Sequence, residues 1–102
     1  MKRKKRYKHA IINKKKYYFH TIHWLDITGD AGHKNKDEMD KLPICKMITQ
    51  AYVYKKNKKF LTTFSSYDQD DEVFSDTNIF PMGCIVSMEK IKLWVFLSYW
   101  FW

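Results

Sequence analysis

The sequence predicts a mainly β protein, one small and strongly bent sheet or barrel with a single short helix. Three observations carry this. The stretches Tyr17 to Ile27 and Ile48 to Tyr54 are rich in aromatic and β-branched residues and alternate with a period of two. A lysine-rich tip, Lys55-Lys56-Asn57-Lys58-Lys59, separates the second stretch from another β-rich run, Phe60 to Ser66. Finally, Ile79-Phe80-Pro81-Met82-Gly83 reads as a turn that feeds an apolar strand, Cys84 to Met88, on which the upstream strands are expected to pair.

Taken in order, residues 1–16 form a Lys-rich lead with little apolar content, expected to be a flexible arm because it cannot offset the entropy of ordering. The first strand puts His20, Ile22, Trp24 and Asp26 on one face and Phe19, Thr21, His23, Leu25 and Ile27 on the other. Gly29 to Lys36 is a polar loop, after which Asp37 is expected to cap a helix that ends near Leu42, before Pro43. Asn57 is the residue of the lysine tip best suited to a positive φ. Tyr67 to Asn78 reads as an acidic loop. Four or five short strands with one helical insertion suggest the SH3-like or Sm-like kind of barrel. The domain is expected over residues 17–92, with an aromatic tail at 93–102.

The chain has 102 residues, enough for one core, and a net charge of +8. That charge is local. Residues 1–20 hold nine Lys or Arg and no acid, which leaves ten basic against eleven acidic residues in 21–102. Lys2, Arg3, Lys4, Lys5, Arg6, Lys8, Lys14, Lys15 and Lys16 therefore form a candidate nucleic-acid arm, with Tyr7, Tyr17 and Tyr18 as candidate stacking groups; a solvated tail is the simpler account of the same charge run. The apolar stretch at Ala10 is too short for a signal peptide, and the tail is too short to span a bilayer, so a cytoplasmic protein is expected.

Little in the sequence points to catalysis or metal. His20-x-x-His23 with Cys45 and Cys84 has the residue types of a zinc site, but residues three apart on a strand face opposite ways. The run Asp68-Gln69-Asp70-Asp71-Glu72 lacks the glycine and the distal Glu of a calcium loop. Cys45 and Cys84 read as buried thiols. No phosphate-binding glycine loop or nucleophile elbow is present, so the expectation is a binding protein with no metal and no cofactor. The tail face Trp94, Phe96, Trp100 and Trp102 is too apolar to leave in water, so the tail is expected to dock on its own domain or to lie at an oligomer interface, and a homo-oligomer, most simply a dimer, is expected.

Trp24-Leu25-Asp26, Gly32-His33, Ala51-Tyr52-Val53, Ser65-Ser66 and Ile79-Phe80-Pro81-Met82-Gly83-Cys84-Ile85 together resemble a set of small bacteriophage proteins with a W-x-D … I-P-x-G-C-I pattern. The closing strand is also similar to that of Sm-like barrels. The pattern covers residues 20–91, with His33 where it has Trp, Ala51 where it has Gly and Met82 at a position often basic. The resemblance implies a non-catalytic accessory protein of an infected host's cytoplasm that binds an anionic nucleotide, sequestering a host defence signal. Trp24, Asp26, His33, Lys36, Tyr52 and Tyr54 are the expected ligand residues. Two alternatives stand beside it: an Sm-like or basic-armed protein that binds RNA or single-stranded DNA, and an inhibitor of a host protein by direct interaction.

Overall fold

The structure, a computed structural model, describes the backbone of residues 3–96 and the side-chain surroundings of residues 6–93. Lys2 and residues 97–102, and with them Trp100 and Trp102 of the expected tail face, lie outside the described residues, and of Trp94 and Phe96 only the backbone is described. The elements are β1 (Arg3–Tyr7), β2 (His9–Ile12), β3 (Lys15–Asp26), α1 (Lys36–Asp40), β4 (Cys45–Lys56), β5 (Phe60–Phe64), β6 (Ser66–Asp68), β7 (Val73–Ser75), β8 (Asn78–Pro81), a 3-10 turn (Met82–Cys84), β9 (Ile85–Lys90) and β10 (Lys92–Phe96). The protein is mainly β, and all its strand pairs are antiparallel.

The hub is β3 rather than the closing strand. One edge pairs with β4 over Phe19 to Asp26; the other pairs first with β2 over Lys15 to Tyr18, then with β9 from His20 to Trp24. The sheet continues β4-β5-β8, and β8 is joined to β9 by the three residues of the 3-10 turn. So short a link between the two ends of the path makes the sheet curl, and Trp24 on β3 meets Phe80 on β8 with ring centres 5.1 Å apart. The described residues form no closed barrel, since β8 and β9 do not pair.

Both faces of this sheet carry apolar clusters. On one, Ile22, Leu61 and Phe80 are buried, with Trp24, Val53, Met82, Ile85 and Met88 packed around them. On the other, Ile12, Tyr17 and Phe64 are buried beneath Tyr52 and Phe74. The cover of this second cluster comes from an unexpected source. The stretch expected as an acidic loop is the β6–β7 hairpin, whose Tyr67 and Phe74 rings lie 5.9 and 4.8 Å from Phe64. Its acids are solvated, Phe74 is half-buried, and Tyr67 lays one side of an otherwise exposed ring on Tyr52 and Phe64. Asp68 Oδ1 accepts from the amides of Asp70 and Asp71, which shapes the bend.

Several local expectations are corrected. Residues 3–7 and 9–12 are strand, not a free arm: Ala10 and Ile12 are buried, and β2 enters β3 through a two-residue turn in which Asn13 and Lys14 have φ of 48° and 67°. Two positive φ values suit the twist of a tight hairpin. The lysines mask this because apolar residues occupy only alternate positions of β2. β1 then pairs with β10 as a separate two-stranded ribbon, Arg3 to Tyr7 against Lys92 to Phe96. Asn35, not Asp37, caps α1, exchanging bonds with Glu38 in a capping box. Asn57 does not take a positive φ; its Oδ1 accepts from the amides of Lys59 and Phe60. Gly83 likewise has no positive φ and lies in the 3-10 turn. Cys45 and Cys84 are half-buried free thiols rather than core residues.

Candidate nucleic-acid interface

The site begins where β2 and β9 part company along β3. The amide of Phe19 donates to Lys8, that of Lys8 to Ile91, and that of Ile91 back to Phe19, at 3.0, 2.9 and 3.2 Å. Three chain segments are thus fixed at one point. Because side chains alternate along a strand, Tyr18 and His20 rise on one face of β3 and Tyr17 and Phe19 on the other. His9 pairs with Tyr18 across β2, and Lys90 pairs with His20 across β9.

On that face Lys90 Nζ lies 4.2 Å from the centre of the Tyr18 ring and 5.4 Å from that of Tyr7. The His9 and Tyr18 rings are 5.6 Å apart and tilted by 59°. The opposite face repeats the motif, with Lys8 Nζ 4.0 Å from the Phe19 ring and Lys15 Nζ 5.3 Å from Tyr17. Tyr7, His9, Tyr18 and His20 are half-buried, whereas Lys14, Lys15, Lys16, Lys56 and Lys90 are exposed. The one salt bridge among the described residues joins Lys34 to Asp30, in the loop before α1, so none of these lysines is held by a carboxylate.

Both histidines are fixed in the same manner. His9 Nδ1 is 2.8 Å from the carbonyl of Tyr7 and His20 Nδ1 is 2.9 Å from that of Tyr18. A carbonyl only accepts, so each Nδ1 carries the proton and Nε2 is the nitrogen left to gain one. Burial lowers the pKa of His20 below the usual histidine value; the bond to the carbonyl opposes this, and the charges of Lys90 and Lys56 add to it.

The six expected ligand residues are not brought together. Trp24 is half-buried and packs against the Ile22, Leu61 and Phe80 cluster, donating from Nε1 to Thr49 Oγ1 at 2.9 Å. Asp26 ends β3 opposite Cys45. Tyr52 and Tyr54 belong to the aromatic cluster under the β6–β7 hairpin, stacked on Phe64 and Tyr17 at 5.4 and 5.7 Å. Lys36 opens α1, and His33 lines an open cavity of about 720 Å³ with Asp30, Lys34, Met39 and Leu42. Of the expected arm, Lys16 shares the face of Tyr18, Lys8 and Lys15 belong to the opposite face, Lys14 is in the turn between β2 and β3, and Arg3, Lys4, Lys5 and Arg6 lie along β1. Of the expected stacking groups, Tyr7 and Tyr18 are half-buried and Tyr17 is buried.

Sequence reasoning missed His9, His20, Lys56 and Lys90 as members of this face. The alternation of His9 and Ile11 with buried Ala10 and Ile12 was the available signal for His9; nothing local reveals that Lys90 returns to Tyr18. His20 and His23 stand three apart on β3, and no group of three or more His, Cys, Asp or Glu side chains gathers among the described residues. No family model matches the chain, and no curated protein and no solved structure matches it.

Proposed function

We propose that this protein binds single-stranded nucleic acid across the face formed by Tyr7, His9, Lys16, Tyr18 and Lys90. The observation that carries this is Lys90 poised over two tyrosines with no carboxylate to neutralise it. Such a surface offers phosphates a cation and bases a ring to stack on, and each stacked base is worth about 1 to 3 kcal/mol. The curled sheet, with its end strands linked through a 3-10 turn, supports reading the fold as a small SH3-like or Sm-like barrel carrying an added basic ribbon. A homo-oligomer belongs to the same proposal. Fluorescence anisotropy with a labelled oligopyrimidine and the same sequence as duplex tests the reading. Tighter binding of the single strand is expected; equal binding of both, or of neither, contradicts it.

A second reading keeps the anionic nucleotide of a host signal, placed in the cavity beside His33. Its volume lies in the range of small-molecule sites, roughly 300 to 1,000 Å³. It ranks second because Lys34, the cation lining that cavity, is already paired with Asp30 at 2.7 Å. Thermal shift against cyclic di- and trinucleotides decides it, since a bound ligand raises the melting temperature by mass action.

A further inference from the structure

We infer that binding at the basic face takes up a proton on His20, so that affinity for single-stranded nucleic acid rises as pH falls. The inference rests on the proposed binding face and adds its regulation. His20 lies on that face, in register with Lys90 on β9 and Ala51 on β4, two residues beyond Tyr18.

The groups that face it are of one sign. From β9 comes the Lys90 ammonium and from β4 that of Lys56, while β3 itself supplies only the neutral carbonyl of Tyr18, to which Nδ1 donates. Glu89, the acid next to Lys90, pairs with Thr21 and so belongs to the opposite face of the sheet. In the free protein, half-burial and two cations therefore hold the imidazole neutral, with Nε2 unprotonated.

A bound strand reverses these conditions. Its phosphates neutralise Lys90 and Lys56 and place negative charge near Nε2, so the protonated form becomes favourable. The proton comes from solvent and is bound at Nε2; no covalent bond is made. Reciprocity then requires that a lower pH tighten binding, because the bound state holds a proton that the free state lacks. One proton limits the effect to about tenfold in affinity per pH unit. A surface of lysines alone shows no such dependence in this range, since lysines stay charged.

The test is anisotropy with a rhodamine-labelled oligopyrimidine and the full chain, from about pH 7.5 to about pH 5.5 at fixed ionic strength. Affinity should rise several-fold as pH falls, and His20→Gln should flatten that dependence whatever its absolute affinity. His9→Gln, which removes the other imidazole of the face, should keep it. As a check that needs no variant, the His20 imidazole pKa followed by NMR should rise on adding the oligonucleotide. Wild-type binding that is measurable at pH 7.5 but flat with pH, an unshifted imidazole, or a dependence lost in His9→Gln and kept in His20→Gln overturns the inference while leaving the binding face intact. Failure of the wild type to bind at any pH overturns the binding face and the inference together.

Discussion

Lys90 Nζ lies 4.2 Å from the centre of the Tyr18 ring, although the two residues are 72 positions apart in the chain; the backbone of Phe19, next to Tyr18, clamps β9 in place. The pair exists because β3 is long enough to hold β2 and β9 end to end on one edge. A cation over an aromatic face contributes about 0.5 to 1 kcal/mol when exposed. That is too small to explain the fold, and it leaves the ammonium available to a phosphate.

The burial of Phe64 gives the first stability prediction. It is 1% exposed and touches Tyr17, Tyr52, Tyr67 and Phe74. Phe64→Ala should cost about 3 to 5 kcal/mol in urea unfolding, a large part of the stability usual for a small domain. A loss below about 1 kcal/mol would mean that the β6–β7 hairpin does not close over this cluster.

Thr63 predicts a gain. It is fully buried, and its Oγ1 has no hydrogen-bond partner. Replacing the hydroxyl with a methyl keeps the shape and removes an unsatisfied group, so Thr63→Val should stabilise the protein by about 1 kcal/mol. A lower melting temperature in the variant would show that the hydroxyl is satisfied in solution.

His20 predicts the acid side of the stability curve in the absence of ligand. Its folded pKa lies below the unfolded value of 6.5, so the unfolded chain takes up the proton more readily. The stability it contributes is present above that value and is lost as pH falls through the folded pKa. Melting temperatures of wild type and His20→Gln should therefore converge as pH falls from about 7.5, the wild type declining more steeply. Parallel curves would contradict the assignment.

Much of the sheet was legible in the sequence, because β3, β4 and β5 advertise themselves by alternation and by β-branched and aromatic residues. What was not legible depends on distant partners. β1 and β2 look like a solvated arm until the apolar face of Ala10 and Ile12 finds Tyr17 and Phe64, and the β6–β7 hairpin looks acidic because only Tyr67 and Phe74 reach Phe64. The site suffered the same limit. Tyr52 and Tyr54 were expected at a ligand and are instead packed beneath that hairpin, while Tyr7 and Tyr18, expected beside a loose arm, sit on an ordered face.

The salt dependence of oligonucleotide binding tests the central claim most directly. The account predicts that log affinity falls linearly with log salt, by about 0.7 for each phosphate contacted on a single strand. Lys90→Gln should make that slope shallower by about one contact, roughly 0.7. Tyr18→Leu should instead weaken binding by about 1 to 3 kcal/mol with the slope unchanged, because stacking releases no counterions. Binding that does not respond to salt, or a slope that is the same in wild type and Lys90→Gln, would contradict it.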